Sequence, residues 1–190
     1  MKKYELTAEC KEFLGRKLYR IRALIDFDIV EEGDLGGWIE KEENLSQEGN
    51  AWVYDDAEVY GNARVCGDAR VYDNAEVYGD AEVYGDAWVC GNAEVCGDAE
   101  VYGDAEIRKK RHLLEIGFIG SRDDVTTFFR TKNKEIFVKC GCFTGNIDGF
   151  EKQVREVHGE NKHGKVYALA IAMAKEQIEL EDEDVEEEND

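Results

Sequence analysis

From Val53 to Glu106 the chain repeats one six-residue phrase nine times without a break: VYDDAE, VYGNAR, VCGDAR, VYDNAE, VYGDAE, VYGDAW, VCGNAE, VCGDAE, VYGDAE. No single hexad can bury its apolar side alone, so such units must stack on one another. The constant apolar positions are the valines (Val53, Val59, Val65 and onward to Val101, then Ile107) and the alanines four residues later (Ala57 through Ala105). Valine is β-branched and suits a pleated surface. Alanine is small enough to sit where the backbone turns a corner. Gly-Asp and Gly-Asn pairs between them supply tight-turn chemistry. Short strand, corner, short strand, corner describes a solenoid.

The Val and Ala slots resemble those of the hexapeptide-repeat proteins, whose chains wind as a left-handed parallel β-helix of triangular section. The resemblance implies three hexads per eighteen-residue coil. Val53, Val71, Val89 and Ile107 then stack on one face, Val59, Val77 and Val95 on the second, and Val65, Val83 and Val101 on the third. At a strand spacing of about 4.8 Å, three coils stand only roughly 15 Å tall.

The frame carries backwards through LGGWIE, KEENLS and QEGNAW. It places Ile39, Leu45 and Ala51 at the fifth position and Leu35, Lys41 and Gln47 at the decayed first. Residues 33–52 therefore read as a degenerate coil. Residues 1–32, with piecewise alternation through Leu18, Arg20, Arg22 and Leu24, read as a hairpin that closes the solenoid end; open ends expose unpaired strand edges. The stretch LGGWIEKEENLSQEGNAWVY also resembles the opening of phage-borne and bacterial repeat proteins.

The period ends at Ile107, followed by the basic junction Arg108-Lys109-Lys110-Arg111. Beyond it the pattern predicts strands at Leu114–Ile119, Val125–Thr131 and Glu135–Cys140, then helices at Asp148–Val157 and Lys165–Ile178. The second helix aligns Val166, Leu169, Ala170 and Met173. The fold expected is mainly β: an N-terminal β cap (1–32), a β-helix of three to four coils (33–107), a small α+β domain (108–178), and a disordered acidic tail (179–190). The α+β segment resembles a C-terminal domain that recurs in phage-encoded proteins.

The formal net charge of −20 is unevenly distributed. Residues 33–106 carry three basic and nineteen acidic side chains, whereas residues 107–178 carry fourteen basic and nine acidic. The solenoid is acidic and the head is basic. No signal-peptide-like segment or membrane-length apolar run is present, so a cytoplasmic protein without a membrane partner is the expectation (the host bacterial cytoplasm, if phage-encoded). The six cysteines suggest no disulfide framework and no metal site. Cys66, Cys90 and Cys96 fill slots that Tyr takes elsewhere, and Cys140 and Cys142 are too close for a zinc clip.

Enzymes that share the hexapeptide-repeat resemblance are acyltransferases with a histidine general base, or carbonic anhydrases with three histidine ligands. No histidine occurs before position 112. Carboxylates at solvated corners do not titrate near neutrality. A non-enzymatic role with no cofactor is therefore expected, and acyl transfer is the least favoured alternative.

The ligand signature lies in GSRDDVTTFFRT. Ser121, Arg122, Thr126, Thr127 and Arg130 combine guanidinium groups and hydroxyls in the way a phosphate requires, with Lys139, Lys162, His163 and Lys165 adding charge. No phosphate-loop or dinucleotide fingerprint accompanies them. On the solenoid, Trp52, Arg70 and Trp88 stack on one face, and Tyr60 and Tyr78 on another. These are the expected contacts of a homo-oligomer, trimer or dimer. The function expected is a phage-encoded binding protein that sequesters a phosphate-bearing small molecule or nucleotide signal of host defence. The alternative is an acidic nucleic-acid mimic that blocks a host nuclease or another DNA-binding defence protein.

Overall fold

A computed structural model describes residues 2–181. The N-terminal hairpin comprises β1 (Tyr4–Phe13) and β2 (Arg16–Ala23), followed by β3 (Leu35–Ile39). The solenoid then runs through ten two-residue strands: β4 (Trp52–Val53), β5 (Glu58–Val59), β6 (Arg64–Val65), β7 (Arg70–Val71), β8 (Glu76–Val77), β9 (Glu82–Val83), β10 (Trp88–Val89), β11 (Glu94–Val95), β12 (Glu100–Val101) and β13 (Glu106–Ile107).

Three parallel sheets make the three faces of a β-helix. Val53 pairs in register with Val71, Val71 with Val89, and Val89 with Ile107. Val59, Val77 and Val95 stack on the second face, and Val65, Val83 and Val101 on the third. The eighteen-residue coil is thus observed directly. Each coil bonds to the next, as in Glu58 N to Ala75 O (2.9 Å) and Tyr60 N to Val77 O (3.0 Å). Every Val and Ala of the repeat is buried. A buried Val side chain contributes about 1.5–3 kcal/mol, so the core rests on many equal small terms.

The corners use left-handed backbone. Gly61, Gly67 and the glycines that follow at this slot have φ near +70°, and where Asp replaces Gly, Asp55 and Asp73 adopt φ of 51° and 61°. Asp tolerates that region through its short polar side chain.

The first coil departs from the expected frame. Ile39 pairs with Val59, and Leu45 bridges to Val65, each across twenty residues. Ile39 and Leu45 therefore occupy the first, valine-like slot rather than the fifth, and Leu35 is 53% exposed. Two extra residues lie between Leu45 and Ala51, where Gln47 accepts hydrogen bonds from the backbone N–H groups of Lys3 and Tyr4. The insertion shifts the frame and anchors the hairpin. That hairpin extends a solenoid sheet laterally in the order β1-β2-β3-β5-β8-β11.

At the far end β14 (Leu113–Ile119), β15 (Asp124–Arg130), β16 (Ile136–Cys140) and β17 (Phe143–Asn146) form an antiparallel sheet, followed by α1 (Ile147–His158) and α2 (Lys162–Gln177). The fourth strand was not expected; it returns from the Gly141-Cys142 turn. One sheet face seals the solenoid through Phe129, which joins the solenoid core 5.7 Å from Tyr102. The other packs Phe128, Ile136 and Val138 against Phe150, Val154, Tyr167 and Ile171 of the helices. Asn146 and Asn161 cap the helices by accepting from the N–H groups of Gly149 and Gly164.

Two expectations are corrected here. The buried face of α2 is Tyr167, Ala170, Ile171 and Ala174, while Leu169 and Met173 are 71% and 54% exposed. The tail expected to be disordered begins as ordered chain. Glu179 pairs with Lys109 and Arg111, and Leu180 packs on the helix-side core. The rest of that segment, 182–190, lies outside the described residues.

Candidate functional site

A pocket of about 180 Å³ opens on the helix side of the C-terminal sheet, between the turn before β15 and the β16–β17 turn. Gly120 has φ +80°, and a Cβ there would stand 1.7 Å from Tyr167 Oη. Only glycine lets this turn lie against the tyrosine. Ser121 and Arg122 then project at the rim, exposed, with Asp124 beside them. Phe150, Val154 and Tyr167 line the interior, with Val157 and His158 further along α1.

The polar interior is a short chain. Thr126 Oγ1 donates to Cys140 Sγ (3.1 Å), and the thiol donates to Tyr167 Oη (3.5 Å). Burial, then the hydrogen bond with Cys140, raises the Tyr167 pKa, and the Arg122 charge opposes the rise. The His158 ring stands 5.6 Å from Tyr167 and 5.9 Å from His163. The volume is below the roughly 300 Å³ at which most drug-sized ligand sites begin. Its size suits a compact group.

Of the residues expected at a ligand site, the structure brings only Ser121 and Arg122 to this pocket. Strand alternation divides the others, because successive side chains point to opposite faces. Thr127 and Lys139 are cross-strand partners directed at the solenoid. Thr127 Oγ1 accepts from Glu100 N (3.4 Å), and Lys139 pairs with Glu100 (3.2 Å). Thr126 is buried beneath Cys140. Arg130 is 1% exposed, paired with Glu106, and donates to Leu180 O. It joins the two parts of the molecule rather than facing a ligand. Lys162 and Lys165 are exposed at the start of α2, and Lys165 lines a separate cleft with Glu151, Arg155 and Gly159. His163 meets the pocket only through His158.

Sequence reasoning did not find Cys140, Tyr167, Phe150 or Val154 as pocket residues. Gly141 in CGCF was the available signal, since it marks a two-residue hairpin that folds Cys140 back beside the Arg122 turn.

The aromatic face of the solenoid is also rearranged. Trp52 is 1% exposed, covered by Phe27 (5.4 Å) and Tyr4 (6.0 Å). Tyr60 is buried against Phe13, Leu18 and Trp38, and stacks on Tyr78 at 5.1 Å. Both were expected at an interface between copies, but the N-terminal cap takes their surface. Arg70 and Trp88 remain. Arg70 donates to Asp28 and lies 5.8 Å from the indole, and Lys132 stands 4.1 Å from the same ring. One groove is lined by Asp80, Glu82, Asp98, Glu100 and Asp124, with Lys139 and Phe118 beside them. Several corner acids have structural partners: Asp68 accepts from Asn50 and Asp80 from Asn62.

Fold and pocket together define a β-helix protein carrying a small α+β domain. No known family profile matches the chain. Over an alignment of 63 positions the chain is 44% identical to an uncharacterized acetyltransferase, YdcK, of Escherichia coli (strain K12). The match covers 29% of this chain and 19% of that protein, so the chain spans about a fifth of the curated relative's length. The likeness fits the β-helix. The histidines at 112, 158 and 163 all lie beyond the coils. Among the described residues no three His, Cys, Asp or Glu side chains converge as metal ligands, and no helix is long and apolar enough to cross a membrane.

Proposed function

We propose that this chain is a non-enzymatic binding protein whose C-terminal pocket takes the phosphate group of a small molecule or nucleotide, held by Arg122. One observation carries this reading. Arg122 stands at the pocket rim with no ion pair among the described residues, whereas Arg130 and Lys139 are each neutralised by a glutamate. A guanidinium offers a two-pronged contact to phosphate oxygens, and the Ser121 hydroxyl lies beside it. The small volume suits a compact group such as the phosphate. In the phage-borne setting that the sequence resembles, such a site would sequester a phosphate-bearing host signal.

The test is calorimetric titration against inorganic phosphate, a nucleoside monophosphate and a cyclic nucleotide. Arg122→Ala is expected to weaken binding roughly 10–150-fold, the worth of one charge-assisted hydrogen bond. Arg122→Lys also weakens it, because lysine keeps the charge and loses the fork. Affinity unchanged in Arg122→Ala, or no binding of any probe, overturns the proposal.

The name of the E. coli relative favours a second reading, acyl transfer, and points away from a purely binding role. Acyl transfer needs a general base, and His158 is the imidazole that lines the pocket. Release of coenzyme A from acetyl-coenzyme A, abolished by His158→Gln, would replace the binding proposal with the enzymatic one.

A further inference from the structure

Helix α2 is apolar on more sides than its position in the fold explains. Tyr167, Ala170, Ile171 and Ala174 face the sheet and are buried. Leu169 and Met173 point the other way and are 71% and 54% exposed, with half-buried Val166 on the same line. A helix that is apolar all round is normally buried all round.

The outer positions Lys162, Val166, Leu169, Met173 and Glu176 are spaced four, three, four, three. That is the seam periodicity of a two-helix coiled coil. Ala172, beside the seam, is an exposed small residue that permits close helix approach, while Ala168 and Lys165 border the cleft towards α1.

The charges on this face run against the helix's own dipole. Lys162 and Lys165 sit in the first turn, which has no acidic residue, and Glu176 sits in the last. An isolated helix prefers the reverse arrangement. None of these three side chains has an ion pair among the described residues, although Lys175, on the side facing α1, pairs with Glu151. An antiparallel copy removes the conflict. It brings the basic first turn of one helix to the acidic last turn of the other, and sets the two dipoles head to tail.

We propose that the outer face of α2 is the seam of a two-fold homodimer. Val166, Leu169 and Met173 pack against the same residues of a second, antiparallel α2, with Lys162 and Lys165 opposite the partner copy's Glu176. The contact differs from the two solenoid faces from which Trp52 and Tyr60 are withdrawn, and it stands independently of what the Arg122 pocket holds. Three apolar side chains per copy make it a small interface of the weak, reversible class.

Sedimentation velocity of the full chain, from about 1 to 200 µM, tests it, since small interfaces dissociate in or above the micromolar range. The expected result is a concentration-dependent dimer. Leu169→Lys and Met173→Lys should each raise the dissociation constant at least about tenfold. Both residues are exposed in the single chain, so thermal melts of dilute protein should stay unchanged. The double change Lys162→Glu/Lys165→Glu weakens the dimer, and adding Glu176→Lys restores it, a rescue that general surface disturbance does not produce. A chain monomeric throughout the range overturns the proposal. So does a dimer indifferent to Leu169→Lys, or one lost in Trp88→Glu but kept in Leu169→Lys, which would place the interface on the solenoid.

Discussion

Arg130 and Lys3 are cations buried for structural reasons, at opposite ends of the solenoid. Arg130 holds Glu106 of the last coil inside the junction with the C-terminal sheet. Replacing it with Met leaves the buried carboxylate with Arg108 as its remaining partner (2.7 Å), and unfolding in urea should show a loss of about 1.5–3 kcal/mol, the worth of one charge-assisted hydrogen bond. Lys3 is 2% exposed and donates to the carbonyls of Gly49 and Ala51. Burial lowers its pKa from 10.5 to about 8, and the Asp68 charge offsets this only in part. The folded state therefore holds the Lys3 proton less tightly than the unfolded chain does. The penalty is full at neutral pH and is relieved as pH rises from about 8 towards 10.5. Half-buried Cys66 and Tyr54 and buried Cys90 titrate in the opposite sense, since burial raises their pKa values. The comparison that isolates Lys3 is with Lys3→Met: the urea midpoint of the parent chain should gain on the variant between pH 8 and 10. A flat difference would show that Lys3 is not the group titrating.

At the scale of the element, the repeat makes each coil nearly equivalent, so no valine dominates. Val77 lies in the middle coil, between Val59 and Val95. Val77→Ala removes two buried carbon groups at about 0.8 kcal/mol each and leaves a small cavity, so a loss of roughly 2 kcal/mol is expected in denaturant titrations. The same substitution at Val59 or Val95 should cost nearly as much, because each has like neighbours. Widely unequal values would contradict the picture of additive stacked units. The outward tyrosines form their own ladder. Tyr84 stacks on Tyr102 at 4.9 Å, and Tyr60 donates to Glu76. Much of the aromatic content that suggested a partner surface is thus satisfied within the chain.

At the scale of the whole molecule, the solenoid depends on being sealed at both ends. The N-terminal hairpin covers Trp52 and Tyr60, and the C-terminal sheet covers the last coil with Phe129 and Phe137. A chain ending at Ile107 would uncover Tyr102 and the apolar end of the coil stack and leave its strand edge unpaired. Such a fragment is expected to aggregate on refolding, as followed by light scattering, whereas the full chain stays dispersed. A dispersed, folded fragment would mean that the coils need no seal. Charge is also partitioned at this scale, with the acids on the coils and the basic excess on the appended domain. Where the two meet, Lys139 pairs with Glu100 and Lys110 with Glu94, so part of that contrast is neutralised at the junction.

The repeat by itself determined the coil length, the three valine stacks, the corner geometry and the buried alanines. Each of these follows from a local period that admits one compact solution. The degenerate first coil was legible as a coil but not in its frame, because a two-residue insertion leaves no mark in composition and appears only as the pairing of Ile39 with Val59. The ligand cluster was legible only at Ser121 and Arg122. Thr127, Arg130 and Lys139 are near in sequence or paired in register, yet strand alternation and the docking of the sheet turn them into the junction with the solenoid. Cys140, Phe150 and Tyr167 reach the pocket from three separate elements, and no local pattern links them. Which faces are left over was likewise a tertiary outcome. Trp52 and Leu169 both belong to periodic patterns, but the packing of the cap and of the C-terminal sheet decided that the tryptophan is covered and the leucine is not.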